Sequence, residues 1–233
     1  MEQKQAVRIQ TSILNGIEKK ALIWMAQRMP KWITSDSLTL IGIMGAVIAA
    51  VGYVLSDNNI LFLWIATFGI VMNWFGDSLD GTIARVRNAQ RPIYGYYLDH
   101  NVDIITLFIV CMGAGLSSIV NLYVAMFVFS AYMIMTVFTY INVHLKGEFR
   151  LTYGKLGPTE FRLIIIIINT IIMYCPAWRD CGSSFTILGQ NVSLNMFDYM
   201  ASGVAVLLII FYIVCFIVDL RKFAKIDPKH KSN

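Results

Sequence analysis

The stretch "GDSLDGTIARVRNAQRPIYGYYLDHNVDIITLF", Gly76 to Phe108, decides how this chain is read. It follows a run from Ile60 to Phe75 with no formal charge, yet it carries four aspartates, Asp77, Asp80, Asp99 and Asp103. An unpaired carboxylate at membrane depth costs about 2.5–3.5 kcal/mol even on permissive insertion scales, so acidic residues beside such a run are functional by default. On a helix continuing from that run, Asp77, Asp80, Gly81 and Ala84 stand at i, i+3, i+4 and i+7, which puts two carboxylates and two small residues on one face. Asp99 and Asp103, at i and i+4, share a face of the next helix.

The rest of the chain agrees with a membrane setting. Of 233 residues, 57% are hydrophobic and only 14% charged, and the apolar residues fall in long blocks. A segment crossing about 30 Å of hydrocarbon must satisfy its own backbone hydrogen bonds, so these blocks predict helices. The fold class is therefore an all-α integral membrane protein, read as a single domain over 1–233. Its spans fall at about 38–55, 60–82, 99–116, 122–143, 161–178 and 199–218. The third reaches spanning length only by starting near Asp99, and the fifth only by starting at Phe161.

Charge predicts the orientation. With both termini cytoplasmic, every one of the 19 Lys and Arg residues except Arg179 falls on that side, a bias that matches the positive-inside rule. The active site at the end of the second span is then cytoplasmic too. The net charge of +5 is accounted for by topology and by attraction to anionic headgroups, and calls for no nucleic-acid partner.

Residues 7–29 predict an amphipathic helix lying in the interface, with Ile9, Ile13, Leu14, Ile17, Ala21, Trp24 and Met25 on one face and Arg8, Thr11, Ser12, Asn15 and Lys19 opposite. Pro30 ends it, and Ser35 to Ser37 offer N-caps for the first span. A cleavable signal peptide is not expected here. Cys111 and Cys215 lie within spans as small apolar residues. Cys175 and Cys181, at the start of the far-side loop "PAWRDCGSSFTILGQNVSLN" (176–195), are able to pair in an oxidising compartment.

Four carboxylates converging between two helices suit hard divalent cations with oxygen ligands, Mg²⁺ or Mn²⁺, and a pair of such ions suits phosphoryl chemistry. Gly81 and Ala84 clear bulk where a ligand approaches the helix, and Arg85 adds a permanent cation matched to phosphate. Each residue alone has an ordinary structural explanation, but the constellation as a whole does not. Intramembrane carboxylates also serve divalent cation transporters, whose sites usually lie near the midplane, whereas these cluster at the cytoplasmic end.

The pattern Asp77-x-x-Asp80-Gly81-x-x-Ala84-Arg85, then Gly95-x-x-x-Asp99-x-x-x-Asp103, resembles the signature of the CDP-alcohol phosphotransferases, integral enzymes of phospholipid synthesis. Every fixed position is filled, with nine residues between Arg85 and Gly95 where that family most often has eight. "WITSDSLTLIG" (32–42) is similar to the family's approach to its first span. The resemblance implies a homodimer in the bilayer, in which an alcohol attacks the phosphorus distal to the cytidine of a CDP-linked substrate and CMP leaves. It implies that Asp77, Asp80 and Asp99 hold metal, and that Asp103 is both a ligand of a second metal and the general base. Gly81 and Ala84 would pack on the nucleotide, Arg85 would lie near phosphate, and Asp36 and Ser37 would touch the nucleotide from the first helix.

The acceptor is read from "HLKGEFRLTYGKLGPTEFRLI" (144–164), which sets His144, Lys146, Arg150, Lys155 and Arg162 near the cytoplasmic mouth. Pro158 suits a helix start, with Glu160 in the first turn. If these cations face the cavity, they favour a phosphorylated acceptor. The stretch "GPTEFR" looks like phosphatidylinositol-phosphate synthases, which favours phosphatidyl transfer from CDP-diacylglycerol to inositol phosphate or inositol. It is also similar to the choline and ethanolamine phosphotransferases, which move a CDP-linked headgroup onto diacylglycerol, and that alternative stays open.

Overall fold

The structure, a computed structural model, describes residues 7–9, 14–146, 148–150, 157–179, 181–187 and 190–227. A short strand β1 (Val7–Ile9) precedes α1 (Asn15–Arg28), α2 (Ser35–Leu55), a 3-10 turn (Ile60–Phe62), α3 (Leu63–Val86), α4 (Pro92–Gly115) and α5 (Leu122–Lys146). Strand β2 (Glu148–Arg150), α6 (Pro158–Tyr174), the single turn α7 (Pro176–Arg179), strands β3 (Gly182–Ile187) and β4 (Gln190–Asn195), and α8 (Met196–Ile226) follow. Among the described residues, five helical segments are long and apolar enough to cross a membrane: α2, Ile60–Val86, α4, Leu122–Leu145 and α8. The apolar α6, with 17 residues, is about 26 Å long at 1.5 Å per residue, the short end of the spanning range. Large apolar side chains such as Phe68, Ile105, Val137 and Leu207 are exposed along these helices. Water would not tolerate so much contiguous apolar surface, but hydrocarbon does. The chain is an all-α, multi-pass integral membrane protein.

α2 and α3 form the rigid centre. Gly42 faces Gly76, Gly45 faces Asn73 and Gly52 faces Ala66, so the two helices run antiparallel with backbones in contact. A Cβ on Gly45 would stand 2.4 Å from the Asn73 nitrogen, and one on Gly76 would stand 2.4 Å from the Gly42 nitrogen. In lipid, where burial of apolar surface drives little association, such close backbone packing is what holds helices together. At the far end Ala49, Tyr53, Leu63, Ala66 and Ile70 pack with Ile172 and Met173 of α6 and Phe197 of α8. Within this packing the Tyr53 hydroxyl donates to Asn169 Oδ1 at 3.1 Å, and Asn169 Nδ2 donates to Thr67 Oγ1 at 3.2 Å. This polar triad pins α6 to both central helices.

Several expected boundaries move. The N-cap of α2 is Thr34, whose Oγ1 accepts from the Ser37 N–H at 3.2 Å; Ser35 to Ser37 are already helical. α4 begins at Pro92, well before Asp99, because proline fits the first helical turn and the polar residues that follow do not break a helix once one face lines a cavity. α6 runs from Pro158 with Glu160 in its first turn and stops at Tyr174, since Pro176 starts a new turn. α8 is longer than expected at both ends, capped by Asn195, which accepts from the Phe197 and Asp198 N–H groups. The segment between α7 and α8 carries an antiparallel hairpin with Gly182 opposite Asn195 and Ile187 opposite Gln190. Cys175 and Cys181 are both free thiols, as are Cys111 and Cys215.

The N-terminal segment departs most. Val7–Ile9 is not helical but pairs in parallel with Glu148–Arg150, so the helix covers only the later part of 7–29. Thr11, Ser12 and Ile13 lie outside the described residues. The apolar residues of α1 divide between the bundle and the surroundings. Leu22 and Ala26, with Met25 and Met29, pack on Leu38, Leu79 and Ile83, while Ile17 and Trp24 are 74% and 57% exposed. Periodicity marks apolar side chains but does not tell protein from lipid as their partner, and here the apolar residues of α1 serve both.

Candidate active site

The four aspartates sit where α3 and α4 reach the end of the bundle that carries α1. Asp77 and Asp80 lie near the C-terminal end of α3, and Asp99 and Asp103 lie in the first half of α4. Carboxylate oxygens of Asp77, Asp99 and Asp103 come within 4.8 Å of one another. Asp80 stands apart from this group. It is 8% exposed, and its Oδ2 accepts from Thr39 Oγ1 of α2 at 2.7 Å while its Oδ1 accepts from the Gly81 N–H. Its backbone carbonyl accepts from Ser35 Oγ at 3.0 Å, so α2 holds both ends of the residue. All four aspartates nevertheless line one small cavity of about 10 Å³, together with Thr39, Gly42, Asn73, Val102 and Thr106.

Three carboxylates at this spacing are the donor set that a hard divalent cation takes, and their negative charge makes the cluster unfavourable without a cation near it. Among the described residues, a cation meets this cluster. Arg162, near the start of α6, donates from Nη2 to Asp77 Oδ2 at 2.7 Å, with both side chains largely buried. Sequence reasoning placed Arg162 among five basic groups at the mouth; the structure brings it into contact with the aspartates. His144 is exposed on α5. Lys155 and the side chains of Lys146 and Arg150 lie outside what the structure describes.

The residues expected at the nucleotide form a rim on the same end. Gly81 faces the Arg85 guanidinium, and Arg85 Nη2 donates to Thr82 Oγ1 at 2.9 Å. Ala84 is half-buried one turn beyond Asp80. The Ser37 hydroxyl lies 2.8 Å from Thr34 Oγ1, so it is engaged in the helix cap. Asp36, at the N-terminus of α2, meets Arg91 Nη1 at 3.6 Å and accepts from the Tyr94 hydroxyl at 3.5 Å, and the Arg91 guanidinium lies over the Tyr94 ring. The nine residues between Arg85 and Gly95 span the end of α3, a left-handed Asn88 and the start of α4. Asparagine is among the few residues that adopt that conformation readily.

Other groups at the site went unmarked in the sequence. His100 lies with Nδ1 3.2 Å from Asp99 Oδ2, and its ring meets those of Tyr96 at 4.0 Å and Tyr140 at 5.1 Å, linking α4 to α5. Asn73, which donates to the Gly42 carbonyl at 3.0 Å, was detectable as an isolated amide within an apolar run one turn before Asp77.

Residues 32–214 match the model of the CDP-alcohol phosphatidyltransferase family. The chain belongs to that family. Among curated relatives it is 25% identical over 153 residues to cholinephosphotransferase 1 of Homo sapiens, covering 62% of this chain and 37% of that protein. It is 24% identical over 159 residues to cholinephosphotransferase 1 of Danio rerio (65% and 41% covered), and 22% identical over 160 residues to that of Gallus gallus (65% and 47% covered). The chain thus spans less than half the length of these relatives. The family signature is the same stretch that positions Asp77, Asp99 and Asp103 around one point.

Proposed function

We propose that this protein is a CDP-alcohol phosphotransferase of phospholipid synthesis that moves a small CDP-linked headgroup, of choline or ethanolamine type, onto diacylglycerol and releases CMP. The observation that carries the reaction type is the Asp77, Asp99 and Asp103 cluster within the family signature. The direction of transfer is supported by relatives that are named cholinephosphotransferases. A phosphorylated acceptor such as inositol phosphate has less support. Among the described residues, Arg162, the one basic group of the 144–164 stretch that reaches the aspartates, donates to Asp77. Family membership also sets aside the transporter reading.

In this reading Asp77, Asp99 and Asp103 hold Mg²⁺ or Mn²⁺, with Asp80 completing a site for two ions from the α2 side. The metal, when bound, offsets the charge that develops on the transferring phosphoryl oxygens and on the departing CMP. Asp103 is the exposed member of the cluster, which gives an incoming acceptor hydroxyl a carboxylate oxygen to hydrogen-bond. As the hydroxyl oxygen forms its bond to the phosphorus distal to the cytidine, its proton passes to Asp103 and the bond from that phosphorus to the CMP oxygen breaks. Asp36, Gly81, Ala84 and Arg85 line the rim where the nucleotide enters, and Ser37 braces it through the Thr34 cap. Active site and termini face the cytoplasm, supported by the placement of every Lys and Arg except Arg179. As the family resemblance implies, the protein works as a homodimer.

The test is to incubate purified protein, with Mg²⁺, with Mn²⁺ or with chelator, in two sets. One contains CDP-choline or CDP-ethanolamine with diacylglycerol, the other CDP-diacylglycerol with inositol, inositol phosphate and further alcohols. CMP release and the mass of the lipid product are read. Metal-dependent product in the first set supports the proposal. Product in the second set alone would make the protein a phosphatidyltransferase and overturn the stated direction of transfer.

A further inference from the structure

Outside the carboxylate cluster, Glu18 of α1 ties several helices together at this end of the bundle. A single oxygen of its carboxylate, Oε1, accepts from three directions: Thr159 Oγ1 of α6 at 2.7 Å, Trp74 Nε1 of α3 at 3.0 Å and, at a longer 3.5 Å, Ser78 Oγ of α3. These partners sit close to the pair that closes the site. Trp74 and Ser78 are one turn apart on α3 and flank Asp77, and Thr159 is one turn ahead of Arg162 on α6. A second carboxylate ties α6 to the start of α1, since Glu160, buried in the first turn of α6, accepts from the Leu14 N–H at 3.0 Å and the Gly157 N–H at 2.9 Å. Glu18 touches neither the cavity-lining aspartates nor Arg162. It fixes the helical turns that carry them.

We propose that Glu18 is a positioning residue that clamps the first turn of α6 to α3 and so sets Arg162 against Asp77. The inference rests on the reading of the carboxylate cluster as a divalent-cation site. Its physical basis is leverage. Arg162 has a long, flexible side chain, and the distance of its guanidinium from Asp77 depends on where the α6 backbone starts relative to α3. At this level Glu18, with donors on both helices, is the bridge adjacent to that ion pair. Because α1 also presents Ile17 and Trp24 outward, with the Arg28 guanidinium 4.2 Å from the Trp24 ring centre, the helix seated at the membrane surface is the one that orders the site.

The test uses Thr159→Val, which removes the α6 donor without changing charge or shape much, alongside Glu18→Ala and Glu18→Gln, all in the full chain. The first readout is Mn²⁺ affinity without substrate, by electron paramagnetic resonance. A loosened Arg162 competes less for Asp77, so Thr159→Val should tighten Mn²⁺ binding, and the shift should vanish when Arg162→Ala is also present. The second readout is turnover. Glu18→Ala should lower it by about 10- to 100-fold, the scale of groups that orient a metal ligand, while Glu18→Gln, which keeps an acceptor oxygen, restores most of it. The proposal is overturned if Thr159→Val leaves Mn²⁺ affinity unchanged, or shifts it equally with and without Arg162, because either result makes Glu18 a scaffold for α1 alone. If no CDP-alcohol transfer is seen at all, the proposed reaction fails, and the Mn²⁺ measurement still decides the role of Glu18. If Mn²⁺ does not bind the unmodified protein, the cation-site reading fails and this inference with it.

Discussion

Arg162 Nη2 lies 2.7 Å from Asp77 Oδ2, joining the first turns of α6 to the last turns of α3 across 85 residues of sequence. The guanidinium is a built-in counter-charge for a cluster of three carboxylates, and it occupies an oxygen that a metal would use. Arg162→Ala is therefore expected to tighten Mn²⁺ binding in the absence of substrate and yet to lower turnover, because the partner that holds the Asp77 carboxylate in place is lost. Arg162→Lys should recover little turnover, since a point charge does not reproduce a planar fork of donors. Titration of Mn²⁺ against each variant, paired with CMP release, checks both halves; weaker Mn²⁺ binding in Arg162→Ala would contradict the competition.

The carboxylates should separate by role. Asp77→Asn and Asp99→Asn each remove charge from the tight group and are expected to abolish Mn²⁺ binding and metal-dependent CMP release while the protein stays inserted and monodisperse. Asp103→Asn should still bind the CDP-linked substrate but lose transfer by about 10²- to 10⁴-fold, the usual scale for a general base. Equilibrium binding of CDP-choline measured beside single-turnover transfer distinguishes these outcomes. If binding and transfer fall together in Asp103→Asn, the residue is a metal ligand first and the base lies elsewhere.

Two glycines of the signature region should answer alanine in opposite ways. Nothing lies within 4 Å of a Cβ on Gly95, so packing does not demand glycine there. Gly95→Ala is expected to raise stability by about 0.5–1 kcal/mol through helix propensity and to weaken nucleotide binding if the substrate needs that space. Gly76 has the Gly42 nitrogen 2.4 Å from its would-be Cβ, and Gly76→Ala should prevent α2 and α3 from packing. Thermal unfolding in detergent and CMP affinity for the two variants supply the check.

Asn169 is buried at 1% exposure between Tyr53 and Thr67. Asn169→Leu leaves the Tyr53 hydroxyl without its acceptor in an apolar setting and should cost about 1–3 kcal/mol. It lies far along α6 from Arg162, so turnover per folded molecule should change little. A lowered unfolding temperature with near-normal specific activity is the expected result, and unchanged stability would remove the triad from the account of how α6 is held.

Sidedness is checked by labelling. In a chain whose four cysteines are replaced, a cysteine at Lys225 should react with a membrane-impermeant reagent only from the cytoplasmic face, and one at Ser183 only from the opposite face. Both positions are exposed in the structure. Reversed labelling would put the carboxylate cluster on the side away from cytoplasmic nucleotide substrates.

Much of this was legible in the chain itself, for physical reasons that act locally. Long uncharged runs have to span or be buried, basic residues distribute by side, and helical spacing places Asp77 with Asp80 and Asp99 with Asp103 whatever surrounds them. The family signature is local in the same way, so membrane class and family both followed from sequence. What needed the tertiary structure was every pairing between distant segments. Periodicity made Ile17 and Trp24 part of one apolar face with Met25, but only the docking of α1 on α3 decides that Leu22 and Ala26 are covered while Ile17 and Trp24 face outward. Spacing grouped four aspartates, but Thr39 on α2 draws Asp80 out of the tight group. A positive-inside charge and a salt-bridging arginine look identical in sequence; Arg162 becomes part of the site because the crossing of α6 over α3 brings its guanidinium to Asp77, a relation no local pattern encodes.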